Sequence, residues 1–124
     1  MNLVDTSGWL EYFFDGTNAA FFAPVIEDTE NLIVSVINEY EVYKKVLQIA
    51  NRQKALRSVT QMKLGKIVPL SEDIALFAAE ISIQYKIPMA DSIIYATGKL
   101  NNANVWTQDV DFINLPGVKY AKKG

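Results

Sequence analysis

The segment Leu32-Ile33-Val34-Ser35-Val36 is an unbroken, mostly β-branched run, the pattern of a strand covered on both faces. Comparable short runs stand at Asn2-Leu3-Val4, Ile67-Val68-Pro69-Leu70 and Asn104-Val105-Trp106-Thr107, with a weaker one at Val118-Lys119-Tyr120. Helical signals lie between them. Thr6 or Ser7 caps a helix beginning at Ser7-Gly8-Trp9, and Thr17 or Asn18 opens a second that runs to Asp28. A long helical region from Ile37 to Gly65 breaks near Asn51. Ser71 with Glu72 and Asp73 starts another helix, in which Ile74, Phe77, Ala78 and Ile81 recur at helical spacing. Pro88 precedes a last one from Met89 to Leu100. Strands alternate with helices throughout, without repeat, linker or low-complexity tract. That order predicts one α/β domain over residues 1–124, three layers deep, with a mostly parallel sheet of four to five strands.

Ligands of such folds bind beyond the carboxyl ends of the strands, where strand order reverses. Four segments each bring an acid to that edge. Asp5 closes the first strand, Glu39 and Glu41 begin the helix after the second, Asp91 begins the last helix, and Asp109 follows the fourth strand. Singly, each has a plain structural explanation as a helix or turn cap, or as a charge favoured by the helix dipole. Together they repel, by about 4 kcal/mol per pair at 4 Å and an effective dielectric near 20, and a cation relieves that repulsion. The chain has no His and no Cys, which excludes Ser-His-Asp catalysis, imidazole- or thiolate-bound metal and disulfides. Carboxylates favour hard cations: Mg²⁺, Mn²⁺ or Ca²⁺. No apolar run approaches the roughly 20 residues that cross a bilayer, and no signal peptide opens the chain, so the expected setting is the cytoplasm, away from membranes.

The net charge of −2 hides an asymmetry. Residues 1–41 hold eight acids and no Lys or Arg, whereas residues 42–71 hold seven bases and no acid. One reading is a metal site beside a polyanion track; the other is two solvated helix faces of opposite sign.

The sequences Val4-Asp5-Thr6-Ser7, Glu41-Val42-Tyr43-Lys44-Lys45, Met89-Ala90-Asp91-Ser92-Ile93-Ile94 and Thr107-Gln108-Asp109-Val110-Asp111-Phe112 resemble the four motifs of PIN-domain ribonucleases, and most closely those of VapC toxins from prokaryotic toxin–antitoxin pairs. The resemblance runs from Val4 to Val118, with Leu115-Pro116-Gly117-Val118 behind the last and most specific motif. It implies a PIN-like fold and a metal-dependent endoribonuclease. Asp5, Glu41, Asp91 and Asp109 match the acids that hold Mg²⁺ or Mn²⁺ in that family, and Asp111 matches an additional acid. Thr107 matches the hydroxyl residue that orients the last acid, and Ser7 occupies a small polar position close to the metal in some members. The implied reaction is hydrolysis of an RNA phosphodiester by metal-activated water, leaving 5′-phosphate and 3′-hydroxyl ends. A VapB-type antitoxin and a homodimer are the implied partners. Within the basic block, Lys44, Lys45, Arg52, Lys54 and Arg57 become candidates for contact with the RNA backbone.

Periodicity and motif disagree at one position. A helical wheel over residues 37–50 groups Val42, Tyr43, Val46, Leu47 and Ala50, with Glu39 near that stripe and Glu41 on the polar side; the motif favours Glu41. Tyr40, Tyr43 and Tyr85 are expected to pack, with base stacking as the alternative. Trp9, Tyr12, Phe13, Phe14, Phe21 and Phe22 are mostly core, and any exposed remainder, rimmed by Glu11 and Asp15, suits a basic amphipathic segment. Two other functions fit an α/β sheet with acids at its edge. A phosphatase or phosphotransferase is disfavoured because position 7 is Ser rather than a second acid; a non-catalytic cation-binding module is separated by an RNA cleavage assay.

Overall fold

The computed structural model describes residues 1–124. Five strands, β1 (Asn2–Val4), β2 (Leu32–Ser35), β3 (Lys66–Val68), β4 (Asn104–Thr107) and β5 (Val118–Tyr120), form one sheet in the order β3-β2-β1-β4-β5. Every neighbouring pair is parallel. The helices are α1 (Thr6–Phe13), α2 (Ala19–Glu27), α3 (Val36–Ile49), α4 (Arg52–Met62), α5 (Glu72–Tyr85) and α6 (Met89–Leu100).

Leu3 pairs with Ile33 and Val105 in register. Side chains of a strand alternate between faces, so these three point together, into a core shared with Ile81, Ile94, Tyr95 and Phe112. Val4, Leu32 and Val34 point the other way and meet Trp9, Phe22, Val42, Val46, Ala55 and Met62. Helices α1 to α4 cover one face and α5 with α6 the other. The sheet is all-parallel and wet on neither face, the three-layer arrangement expected from the order of elements. None of the helices is long and apolar enough to cross a membrane.

The boundaries differ from the sequence reading where polar groups intervene. The first helix begins at Thr6 and is capped by Asp5, not by Thr6 or Ser7; Asp5 Oδ1 accepts from Gly8 N–H at 3.2 Å. Strand β2 stops at Ser35 because Ser35 Oγ accepts from Ile37 N–H and Asn38 Oδ1 accepts from Ser35 N–H, both at 3.1 Å. That capping box turns Val36 into helix. Strand β3 ends at Val68, ahead of Pro69, which has no N–H for a ladder. The break near Asn51 is a cap, with Asn51 Oδ1 accepting from Lys54 N–H at 2.9 Å.

Helix α6 runs close under the sheet, and Ser92 through Gly98 are all buried. A Cβ on Gly98 would lie 2.8 Å from Val105 Cγ2. Alanine in a helix interior ordinarily gains about 1 kcal/mol over glycine, but overpacking a filled core costs about 1–3 kcal/mol. The clash is with a β-branched side chain of a central strand, so overpacking wins. Gly98→Ala is expected to lower the thermal midpoint by several degrees; a midpoint equal to or above wild type would refute this packing.

Candidate active site

Strands β1 and β4 lie side by side, and from them the chain order runs outward to β3 on one side and β5 on the other. This is the switch point of the sheet. Asp5 sits directly beyond β1, and its N–H extends the ladder to Trp106 O at 2.9 Å. Its side chain is 3% exposed. Ser7 Oγ donates to Asp5 Oδ1 at 2.8 Å, the same oxygen that receives Gly8 N–H. Asp109 emerges from β4 beside it. Buried Thr107 accepts Asp109 N–H on Oγ1 at 2.8 Å and hydrogen-bonds Asp5 as well. Asp109 Oδ1 accepts from Asp111 N–H at 2.9 Å, capping the short 3-10 turn Val110–Phe112. Asp5 and Asp109 are thus caps and neighbours in an acidic cluster at the same time.

Asp91, in the first turn of α6, completes the tightest part of that cluster. One carboxylate oxygen from each of Asp91, Asp109 and Asp111 lies within 4.8 Å of the others. Asp111, an optional acid in the sequence reading, belongs to this inner group, while Asp5 and Glu41 stand around it. Burial, followed by repulsion from Asp109, Asp5, Glu41 and Asp111, pushes the Asp91 carboxyl up to about 7. Asp5 is raised to about 6 by burial, against hydrogen bonds from Ser7, Gly8 and Thr107 that favour its anion. The charges acting on Asp91 are all negative. An all-oxygen donor set of like charges with no counter-charge fits a hard divalent cation.

On α3 the buried residues are Asn38, Val42 and Val46. Leu47 is 39% exposed and Ala50 is also exposed, so the stripe drawn from periodicity was too wide and centred too far from Glu41. At 100° per residue, Glu39 and Glu41 lie on opposite flanks of the true stripe. Thr6 identifies the flank that faces the cluster: its Oγ1 donates to Glu41 Oε1 at 2.6 Å and accepts from Asn38 Nδ2 at 3.2 Å. Glu41, and not Glu39, is among the acids that raise Asp91.

The basic block divides in space. Lys44 and Lys45 line a groove of about 270 Å³ with Thr6, Tyr40 and Glu41. Tyr40, expected to pack, is 61% exposed, with Lys44 Nζ 5.7 Å from its ring centroid; Tyr43 and Tyr85 do pack against the cores. Lys54 and Arg57 instead line a separate cavity of about 260 Å³ with Phe13, Phe14 and Val46, and Arg52 is exposed at the start of α4. The rim of that aromatic cavity is therefore basic, opposite in sign to the acidic rim expected from the sequence. Glu11 is turned to the α1–α2 connection, where Oε2 accepts Asn18 N–H at 2.8 Å.

A family model for the PIN domain matches residues 3–118. The chain belongs to the PIN domain family. Its fold is shared by a toxin–antitoxin complex from Klebsiella pneumoniae, at 27% identity and TM-score 0.78 over 96% of each chain. VapBC2 from Rickettsia felis, bound to a promoter DNA fragment, matches at TM-score 0.75 and 12% identity over 98% of this chain and 97% of that one. FitAcB from Neisseria gonorrhoeae matches at TM-score 0.72 and 24% identity over 97% and 96%. No curated protein sequence matches. The likeness to VapC-type toxins drawn from the four motifs thus holds for family and fold.

Sequence reasoning passed over Gln108 in this PIN domain. Lying between Thr107 and Asp109, it is buried and accepts from Asn18 Nδ2 at 2.9 Å, and the same amide donates to Lys122 O at 3.0 Å. It ties the α1–α2 connection and the C-terminal segment to the tip of β4. Its partner is 90 residues away in the chain, so no local pattern could have exposed it.

The raised carboxyls make a prediction for the metal-free protein. With folded values near 6 and 7 and unfolded values near 4, the native state binds more protons than the unfolded state between those limits. Stability therefore falls as pH rises from about 4 to about 7 and then levels. Allowing for solvent screening at half-buried Asp91, the loss between pH 5.5 and 7.5 is about 1–2 kcal/mol. Asp91→Asn removes the repelled charge and is expected to raise the apo midpoint at pH 7.5 while flattening this pH dependence. Thermal melts of both proteins in chelator decide it; a lower midpoint for Asp91→Asn at pH 7.5 would mean that helix capping outweighs repulsion.

Proposed function

We propose that this PIN domain is a Mg²⁺- or Mn²⁺-dependent endoribonuclease, the toxin of a toxin–antitoxin pair. The observation that carries the reading is the convergence of Asp5, Glu41, Asp91, Asp109 and Asp111 at the switch point, where burial and then the repulsion of the other four acids lift Asp91 to about 7. Asp5, Glu41, Asp91 and Asp109 would hold the ion, joined by Asp111. Thr107 and Ser7 orient Asp109 and Asp5 by the bonds described above. A divalent ion in such a site lowers the pKa of a water and stabilises charge on a phosphoryl group. The chain supplies the rest. Its carboxylates fix the geometry, and the protons that raised Asp5 and Asp91 retain are released when the site takes a cation. Lys44 and Lys45 attract the phosphate backbone into the groove beside Glu41, offsetting the repulsion an acidic site would present to RNA. Tyr40, held open beside Lys44, offers a face for an unpaired base. Water adds to phosphorus, the P–O3′ bond breaks, and the products carry 5′-phosphate and 3′-hydroxyl ends.

Partners follow from the neighbours in fold. The Klebsiella, Rickettsia and Neisseria structures named above are a toxin–antitoxin complex, a VapBC2 assembly and FitAcB, which supports a VapB-type antitoxin here. The basic rim of Lys54 and Arg57 around Phe13 and Phe14 suits a segment with apolar and acidic side chains. Exposed Leu76 and Ile83, two turns apart on α5, support a homodimer.

Asp5→Asn, Asp91→Asn, Asp109→Asn and Glu41→Gln are each expected to lower metal-dependent cleavage of labelled RNA by more than about 100-fold, since residues merely supporting a metal site already contribute about 10–100-fold. Glu39→Gln should cleave at close to the wild-type rate. RNA affinity of the Asp109→Asn protein should fall with salt, and replacing Lys44 and Lys45 by Ala should flatten that slope by about 1.4. Loss of cleavage in Glu39→Gln with retention in Glu41→Gln would reverse the assignment on α3. Absence of any Mg²⁺- or Mn²⁺-dependent cleavage would favour a cation-binding module instead.

A further inference from the structure

We propose that Asn38 and Thr6 are positioning residues for Glu41: a one-way chain of hydrogen bonds from the end of β2 through α1 fixes the Glu41 carboxylate toward the acidic cluster. The inference rests on the reading of Glu41 as a metal ligand. Asn38 is completely buried, and an unpaired amide there would be costly. Both of its ends are used. Ser35 N–H can only donate, so the atom that receives it at 3.1 Å is Asn38 Oδ1. The other end of the amide is then Nδ2, a donor, and it gives to Thr6 Oγ1 at 3.2 Å. With that lone pair engaged, the single hydroxyl proton of Thr6 goes to Glu41 Oε1, at the short 2.6 Å expected of a hydroxyl bound to a carboxylate. Every direction in the chain is forced by the first backbone N–H.

The residue types suit the task. A capping box needs only an acceptor at the third helical position, commonly Glu or Gln. Glu there could close the box but could not pass a proton donor on to Thr6, whereas Asn does both. Glu41 lies off the buried stripe of α3, and a free glutamate in that place keeps its rotamer freedom and its water. The bond to Oε1 removes that freedom and leaves Oε2 without a hydrogen-bond partner in the chain, on a side chain whose charge already acts on Asp91.

The test is Mn²⁺ titration calorimetry on the full chain, with RNA cleavage measured in parallel. Thr6→Val, nearly isosteric, is expected to weaken Mn²⁺ binding by about 10–100-fold, and Thr6→Ser, which retains the hydroxyl, to restore it to within about threefold of wild type. In a double-mutant cycle, Thr6→Val added to Glu41→Gln should cost little more than Glu41→Gln alone, because both remove one function; a purely structural role for Thr6 would leave the two losses additive. Asn38→Asp keeps the bond to Ser35 N–H but replaces the donor to Thr6 with an acceptor, drawing the hydroxyl proton away from Glu41. It should weaken Mn²⁺ binding despite the added negative charge, and it keeps the question decidable if Thr6→Val fails to fold. Wild-type affinity in Thr6→Val, additive losses in the cycle, or equal or tighter binding in Asn38→Asp would overturn the positioning role while the metal site stands. If wild type binds no Mn²⁺, or Glu41→Gln binds it as wild type does, the metal reading falls and takes this inference with it.

Discussion

The parallel pairing of β1 with β4 is the contact on which the rest of the molecule depends. It joins the first strand of the chain to the fourth, through the register Asn2 with Asn104 and Val4 with Trp106, and one further backbone bond carries it on to Asp5. Because both strands point the same way, the acids that follow them leave the sheet at one edge. Because the chain order departs in opposite directions on either side, that edge is the switch point, where a crevice forms beyond the strand ends. The acidic cluster is a consequence of topology before it is a consequence of side chains.

A cluster of this kind works against folding. Asp5 and Asp91 are both disfavoured as anions, chiefly by their burial. The opposing groups are local and directed. Ser7, Gly8 and Thr107 donate to Asp5, and the Asp111 N–H donates to Asp109. Behind them, two apolar cores grip the sheet from both sides, so that the strand tips cannot drift apart to relieve the repulsion. The same bonds that cap α1 and the turn after β4 are what hold the charges in place. Capping and site formation here are one set of interactions, and a reading that offers them as alternatives divides what the structure joins.

The fold was legible because its signals are local and mutually consistent. Unbroken β-branched runs, the break near Asn51, the helix start at Ser71 and the order of elements each point to a doubly covered parallel sheet. The acids of the site were legible as residues, through their motifs and their position after strands. Their arrangement was not. Periodicity on α3 pointed to Glu39 because it counted Leu47 and Ala50 as buried, and that depends on where α3 crosses its neighbours rather than on spacing. The aromatic surface near Phe14 was given an acidic rim because Glu11 and Asp15 are its neighbours in sequence; in space its rim is Lys54 and Arg57, from α4. Asp111 ranked as an extra acid because nothing in the chain reveals that a 3-10 turn folds it back to within 4.8 Å of Asp91 and Asp109.

The charge segregation of the sequence takes a different form once folded. A block of seven bases following a block of eight acids suggests two opposed faces, but the α3–α4 hairpin splits the bases between two places. Lys44 and Lys45, on the same helix as Glu41, stay beside that acid; Lys54 and Arg57, after the break at Asn51, are carried to the far end of α1, against Phe13 and Phe14. Bases act on a neighbouring charge within a Debye length of about 8–10 Å, and only the first pair shares a groove with Glu41. The break at Asn51, capped by its side-chain bond to Lys54 N–H, separates these two groups, the first in a groove with Glu41 and the second against aromatic side chains.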